Sequence, residues 1–441
     1  MEIALFLALL TSSLALPLTS LGENWAVLVS GSYTWMNYRH QADVYHAYQL
    51  MKKHGIDESH IIVMHYDDIA HNVRNPTPGI VVNKPNGTNV YREIPKDYTG
   101  LEVTVENFLS VLRGDKSADG KVLKSGPNDH VFINFVDHGA PGLVAFPHER
   151  MYADHFFDAI QDMHDKRMFS KLVIYMEACE AGSMFQDIMP DDMNVYVVTA
   201  SNSTQSSYAC YFDKKRMTYL GDVFSIKWME DEDKNPIERQ TLQQQYKLVK
   251  KETITSNVSR YGDMQFTDAH LDEFMAGHSS NLTSSHIYLT LDAAFSKPTP
   301  PPHPKPIHPC EDPVPSRDVS LAILYHQVSA ATTKEDIESL KRQIHSELTL
   351  RKKIAKTLDL VAAECLQSSN SSIVLEEVIT NSDARPRNFN CYRTVVEHFS
   401  AQCFDLSKYD FALGQLFKLS NLCEGAVPTD TIKSALSRAC A

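Results

Sequence analysis

The apolar run VIYM (173–176) breaks into EACEAGSMF (177–185), which sets the thiol of Cys179 between the carboxylates of Glu177 and Glu180. Neighbouring carboxylates disfavour a thiolate. Cys179 is therefore either an ordinary buried cysteine or a site whose neighbours have other work. A second reactive group follows another apolar run: HVFINFV (130–136) leads into Asp137, His138 and Gly139. An imidazole beside a thiol takes its proton and activates it for attack on a carbonyl carbon. Gly139 leaves space beside that carbon, and the backbone N–H groups of Gly139 and Cys179 are candidates to hold the developing oxyanion. A buried free cysteine and a satisfied loop histidine are the bland alternative for the same two residues. For Asp137, a structural loop acid and a tuning role beside His138 are equally open.

Those groups can meet only if the chain brings the two runs side by side. Residues 25–200 alternate strand-like and helix-like segments. WAVLVS (25–30), HIIVMHY (60–66), HVFINFV, GLVAFP (142–147), KLVIYME (171–177) and NVYVVTA (194–200) read as short apolar strands. QADVYHAYQLMKKHG (41–55), TVENFLSVLRGD (104–115, Thr104 as N-cap) and 153–166 read as helices. Near-continuous apolar strands between amphipathic helices predict an α/β fold, a largely parallel sheet covered on both faces. Ligands bind such sheets beyond the carboxyl ends of the strands. Asn37, Arg39 and His40 follow the first strand, His138 and Cys179 follow two others, and Ser206 and Ser207 follow the last.

With those residues in place, the chain resembles the legumains, the asparaginyl endopeptidases of the caspase-like clan of cysteine proteases. The resemblance rests on NYRHQAD (37–43), NPTPGI (75–80), PKDYTG (95–100), GKVLKSGPNDHVFI (120–133), DHG (137–139), EACEAGSM (177–184) and SSYACYFD (206–213). It covers essentially residues 24–265 and continues more weakly through the tail. It implies a caspase-like sheet flanked by helices, followed by an all-α prodomain. It makes Cys179 the nucleophile, His138 the general base and Asn37 the residue that orients the imidazole. Arg39, His40, Glu177, Ser206, Ser207 and Asp222 match the pocket for the residue before the scissile bond. Taken alone, Arg39 and Asp222 would read as surface charges. Their types suit an asparagine side chain, which offers one carbonyl acceptor and an NH2 donor pair. A pocket of both signs rejects a simple cation or an apolar group, because either leaves buried polar groups unpaired. An aspartate meets a negative pocket unless one partner is protonated, so cleavage after Asp is expected only at acid pH.

Composition shifts at Lys297. Nine of the chain's 21 prolines fall in KPTPPPHPKPIHPCEDPVP (297–315), which predicts an extended linker. Beyond it, SLAILYHQV (320–328) and 336–364 are helical in pattern. The boundaries expected are 1–20 for a signal peptide, 21–285 for the protease domain, 286–325 for the linker and activation region, and 326–441 for the prodomain. Six of the eight cysteines lie at or beyond Cys310. The resemblance implies bridges Cys391–Cys423 and Cys403–Cys440, whereas four cysteines by themselves allow three pairings. Cys310 and Cys365 depart from the family pattern and either bridge each other or stay unpaired. Cys210 is expected to be a buried free thiol. The family's activation cut falls after Asn or Asp in the connecting region. QVSAATTK (327–334) holds neither, which leaves Asn281, Asp292, Asp312, Asp318 and Asp336 as candidates.

The net charge of −13 over 441 residues argues against a general nucleic-acid binder. The N-terminal MEIALFLALLTSSLALPLTS has a short apolar core and a small-x-small cleavage pattern, as a secretory signal does, although Glu2 is unusual there. No later run is long enough to span a membrane. Sequons at Asn86, Asn202, Asn257, Asn281 and Asn370 are glycosylation candidates. Arg113-Gly114-Asp115 could contact an integrin, but a helix end explains it equally well. Together these features imply a zymogen of the secretory route, secreted or delivered to a lysosome or endosome. Its chemistry needs no metal or organic cofactor. Its expected partners are protein and peptide substrates, its own prodomain as inhibitor and cystatin-type inhibitors, with no nucleic acid and no membrane span. A transpeptidase or ligase on the same acyl-enzyme scaffold, and a non-catalytic secreted binding protein, are the rival functions.

Overall fold

The computed structural model describes residues 22–118, 120–277, 310–369, 371–383 and 385–441. The expected signal sequence, Asn281, Asn370, Asp292 and most of the expected linker lie outside the described residues. In chain order the strands are β1 (Asn24–Ser30), β2 (Ile61–His65), β3 (Tyr98–Thr99), β4 (His130–Val136), β5 (Gly139–Ala140), β6 (Leu143–Ala145) and β7 (Arg150–Tyr152). They continue with β8 (Lys171–Glu177), β9 (Val195–Thr199), β10 (Tyr208–Asp213), β11 (Thr218–Asp222), β12 (Ser259–Gly262) and β13 (Val314–Pro315). The main sheet has the order β12-β9-β8-β4-β1-β2-β3. All its pairs are parallel except the edge strand β12, which is antiparallel to β9.

Period-two alternation divides each central strand between two cores. Ala26, Leu28, Phe132, Val173 and Tyr175 face helices α1 (Tyr38–Lys53) and α4 (Val223–Lys234). Val27, Val29, Ile133, Phe135 and Ile174 face α2 (Val105–Arg113) and α3 (Ala153–Asp165). Both faces are buried, which is why these strands lack a polar period in the sequence. Thr104 caps α2 by accepting from the Asn107 N–H, and Gly114 ends it at φ 63°. The Arg113-Gly114-Asp115 triplet is thus the end of a helix, with Arg113 Nε donating to Asp162 at 2.5 Å.

Helix α1 begins at Tyr38, three residues before the expected start. Its first turns bury Arg39, His40, Gln41 and Asp43, so the core-facing side is polar there and hydrophobic spacing could not reveal it.

In the tail, a 34-residue helix (Lys334–Gln367) packs with helices Phe389–Gln402, Phe417–Glu424 and Thr429–Cys440. Ala140, Leu143 and Tyr152 of the β5–β7 hairpin join the core of that bundle, so the tail sits directly on the protease half. Bridges join Cys391 to Cys423 and Cys403 to Cys440. Two cysteine expectations fail. Cys210 is not a free thiol but is bonded to Cys310, so Cys310 does not bridge Cys365. Cys365 is a buried free thiol. The sequence hides the Cys210–Cys310 pair because its members stand 100 residues apart and meet only when β13 adds to β10. Among the described residues no helix is long and apolar enough to cross a membrane.

Candidate active site

Sheet register brings the two reactive runs together. Val136 at the end of β4 stands opposite Glu177 at the end of β8. Two residues beyond that pair, His138 and Cys179 leave the sheet side by side. Their proximity demands glycine next door, since a Cβ on Gly139 would lie 2.1 Å from the carbonyl oxygen of Cys179. Cys179 Sγ lies 3.1 Å from Ser206 Oγ and accepts from the Ser207 N–H at 3.4 Å. Burial, with Glu180 adding repulsion, raises the Cys179 pKa although Arg317 and the serines oppose it. The thiol is therefore neutral at rest and needs a base.

His138 Nε2 lies 2.9 Å from Asn37 Oδ1 and 3.1 Å from Asp410 Oδ2, two oxygen acceptors on one nitrogen. The amide of Asn37 is itself oriented, because its Nδ2 donates to the Tyr33 carbonyl at 3.1 Å. That arrangement places the N–H on Nε2 and leaves the lone pair of the neutral ring on Nδ1, which is buried without a hydrogen-bond partner. Burial raises the Asp137 pKa to about 7 against the pull of His138 and Arg39. Burial likewise holds the neighbouring His40 well below its usual range, with Arg39 and His138 adding to the effect, so His40 is neutral.

Two residues before the thiol, Glu177 joins a buried charged cluster with Arg39 and Asp222. Arg39 Nε donates to Asp222 Oδ1 at 2.9 Å with both side chains fully buried. Asp222 ends β11 and begins α4, but its carboxylate is committed to Arg39 and does not cap the helix. Glu177 caps it instead, accepting from the Ser225 N–H at 2.9 Å and the Ser225 hydroxyl at 3.1 Å. Burial and the charge of Asp222 push the Glu177 pKa well up. Asp43, one turn beyond Arg39 on α1, accepts from the Asp222 N–H at 3.0 Å and from Asn83 Nδ2 at 2.6 Å. Three polar atoms here have no hydrogen-bond partner: the donor Arg39 Nη2, the acceptor Asp222 Oδ2, and Glu177 Oε1, which accepts when that carboxyl is ionised and carries the proton when it is not.

The tail occupies the site. Strand β13 pairs antiparallel with β10 through Tyr208 and Ala209. The Ser316 N–H then donates to the Ser207 carbonyl at 2.9 Å, and its hydroxyl lies 3.4 Å from Asp222 Oδ1. Arg317 is ion-paired with Glu180 and donates to the Gly139 carbonyl at 3.0 Å. Sequence reasoning brought Cys179, His138, Asn37, Gly139, Arg39, His40, Glu177, Ser206, Ser207 and Asp222 to this edge, and all of them are there. It missed Asp43, Ser225, Ser316, Arg317 and Asp410. Asp43 alone had a signal, its i+4 spacing from Arg39; the others contribute through contacts more than 45 residues away.

A thiol and an imidazole beyond adjacent parallel strands, with a helical tail seated over them, define a cysteine peptidase built with its own covering segment. Residues 24–278 match the family model described as the peptidase C13 family, and residues 342–440 match the legumain prodomain. Legumain of Rattus norvegicus is 42% identical over 429 residues, covering 95% of this chain and 93% of that one. Legumain of Homo sapiens is 40% identical over 449 residues, covering 100% and 98%. Hemoglobinase of Schistosoma mansoni is 40% identical over 420 residues, covering 95% and 92%. The chain belongs to the peptidase C13, or legumain, family, and is a cysteine-protease hydrolase with the family's prodomain.

Proposed function

We propose that the protein is an endopeptidase zymogen that hydrolyses peptide bonds on the carboxyl side of Asn, and of Asp at acid pH, through a Cys179 acyl-enzyme. The observation that carries the specificity is the set of unpartnered atoms in the pocket. A buried donor, Arg39 Nη2, and a buried acceptor, Asp222 Oδ2, match the carbonyl and NH2 of a carboxamide, with Glu177 Oε1 a second acceptor when its carboxyl is ionised. The carbonyl would accept from Arg39, and the NH2 would donate to Asp222 and Glu177. A protonated aspartate offers the same carbonyl and one O–H donor, which suits it to the pocket only in acid.

His138 Nδ1 takes the thiol proton as Sγ attacks the carbonyl carbon. The oxyanion is met by the N–H groups of Gly139 and Cys179. The imidazolium returns its proton to the leaving amine, and a thioester remains. Water, deprotonated by the same nitrogen, then attacks the thioester and frees Cys179. Asn37 holds the ring in the orientation this needs. Ser206, Ser207 and His40 complete the walls of the pocket.

The tail acts as the inhibitor by filling the cleft, and its removal in an acidic secretory compartment, lysosomal or extracellular, activates the enzyme. Asn86 and Asn257 are exposed and suit glycans, whereas Asn202 is half-buried with its side-chain oxygen accepting from Thr204. The test uses fluorogenic peptides ending in Asn, Asp or Ala, read from about pH 4 to 7 after acid incubation, wild type beside Cys179→Ala. Hydrolysis after Asn across the range, after Asp only at the acid end, and by wild type alone is the expected result. Equal turnover of the Ala peptide would reject the pocket assignment. A wild type that stays inert after its tail is removed would reject the activity itself.

A further inference from the structure

The Cys210–Cys310 bridge has no part in the chemistry above, yet it stands at the rim of the cleft. Cys210 lies fully buried on β10, one residue beyond Ala209, where β13 pairs. Cys310 is four residues before Val314, the first residue of β13. The bridge therefore fastens to the cleft wall the very segment whose Ser316 and Arg317 fill the cleft. Without it, the shortest covalent route from the protease half to that segment runs from Gly277 to Cys310 through 32 residues. The local concentration of a tethered segment falls roughly as the −3/2 power of tether length. Measured to Val314, the bridge shortens the tether from 37 links to four, which raises that concentration by more than about tenfold on that scaling.

The placement of the possible cuts makes the bridge decisive. Cleavage after Asn281 or Asp292 falls before Cys310 and leaves the whole tail bonded to Cys210. Cleavage after Asp318 or Asp336 falls beyond Arg317 and leaves residues 310–318 hooked beside the cleft. Only a cut after Asp312 separates the bridge from β13. That carboxylate is held on β10, accepting from the N–H groups of Tyr211 at 3.1 Å and Phe212 at 2.8 Å, so it cannot enter the pocket while the strand is paired.

We infer that the Cys210–Cys310 disulfide is a covalent latch on the inhibitory strand, so that peptide-bond cleavage and disulfide reduction are both needed to empty the cleft. The inference rests on the proposed peptidase activity of Cys179. The reductant is a thiol. One R–S⁻ attacks a sulfur of the bridge and releases the other cysteine as a thiolate, which takes up a proton. A second thiolate then attacks the mixed disulfide. Two R–SH become R–S–S–R, and Cys210 and Cys310 become thiols. Activation would then follow the redox state of the compartment as well as its pH.

The test compares full-length wild type with Cys310→Ser, both acid-incubated without reductant and sampled at matched extents of tail cleavage. With an Asn-ended fluorogenic peptide, Cys310→Ser should be at least about tenfold more active. Brief treatment with a dithiol should bring the wild type up to it while changing the variant little. Equal activity of the two proteins at equal cleavage would overturn the latch. A second readout needs neither activity nor a well-folded variant. Wild type is nicked by an added protease, and the fragments are run with and without reductant. The fragment carrying Cys310 should stay bonded to the protease half until reduced, and its release without reductant would overturn the inference. If the fragment is retained but reduced, nicked protein still hydrolyses no Asn peptide and resists an Asn-directed thiol probe, the peptidase assignment fails and the activating role of the latch falls with it.

Discussion

Asp410, on the tail, places its carboxylate 3.1 Å from Nε2 of His138, which follows β4 where Cys179 follows the adjacent β8. Burial pushes the Asp410 pKa up, but attraction to His138 and their hydrogen bond outweigh it and hold the carboxyl below its ordinary range. A depressed carboxylate stabilises the docked state above its unbound pKa and loses that contribution as pH falls through the depressed value. Asp410→Asn removes the ionic part at every pH. Hydrogen bonds to charged groups contribute about 1.5–3 kcal/mol. The tail of the variant should therefore release at a higher pH than wild type, seen as an upward shift in the pH at which a Cys179→Ala background loses hydrogen-exchange protection over 410–424. An unchanged midpoint would mean that Asp410 is a bystander.

Gly139→Ala tests the close approach of the two strand ends. The added Cβ meets backbone, not a movable side chain, at 2.1 Å. Either the Cys179 turn or the His138 turn must shift, and a misplacement of about 1 Å costs on the order of 100-fold in rate. A kcat/KM within about threefold of wild type on the Asn peptide would show that the two ends have more freedom than this geometry allows.

In the pocket, Asp222→Asn leaves Arg39 buried without its counter-charge. Breaking one partner of a buried pair costs about 3–5 kcal/mol. The variant should unfold at a lower temperature by calorimetry and lose the Asn peptide mainly through KM. In the proposed binding mode Asp222 also loses its place as acceptor for the substrate NH2, so discrimination between Asn and Asp peptides should narrow. Retained stability with retained selectivity would remove Asp222 from the specificity set.

Ser316 lies where the pairing of β13 delivers a side chain to Asp222. Ser316→Asn should turn this covering segment into a substrate, with self-cleavage of the 316–317 bond on acidification and a new N-terminus at Arg317 by mass spectrometry. Absence of that cut in an active preparation would mean that the segment crosses the cleft out of line for attack.

Several buried carboxyls, Asp137 and Glu232 among them, contribute a stability trend opposite to that of surface acids. Burial raises Asp137 to about 7 and Glu232 to about 8. Folded-state values above the unfolded ones mean that the native state binds protons more tightly. Their contribution is complete below about pH 4 and is lost as the pH rises to about 7 for Asp137 and about 8 for Glu232. Asp233, held low by His46 and Lys84 despite its burial, acts the other way only below the ordinary carboxylate range. Buried His40 and His65, held below the usual imidazole range by desolvation, act the other way below about pH 6.5, so the sign is read between variants: from about pH 5 to 7.5 the Tm of Cys179→Ala should change more unfavourably than that of Cys179→Ala carrying Glu232→Gln. Identical pH profiles for the two proteins would contradict the Glu232 assignment.

The strands β4 and β8 were legible at their observed ends because a sheet covered on both faces needs unbroken apolar runs, and such runs stop where the sheet stops. From that followed the sheet, the edge at which the candidate residues gather, and the thiol and imidazole as candidates for a reactive pair. Residue types also carried the acceptor-and-donor logic of Arg39, Glu177 and Asp222, once the family resemblance had separated them from surface charges. Three things were decided only by tertiary structure. The start of α1 was hidden because its buried face is polar and is satisfied by partners as far off as Asp222. The Cys210–Cys310 bridge depends on a strand addition across 100 residues, and local sequence carries no trace of such a pairing. The contact of Asp410 with His138 spans 272 positions and exists only because the bundle buries Ala140, Leu143 and Tyr152 in its own core. Local pattern reports what a segment buries. Which distant segment comes to cover it is a property of the packed chain, and here that segment packs against the strand ends that carry the site.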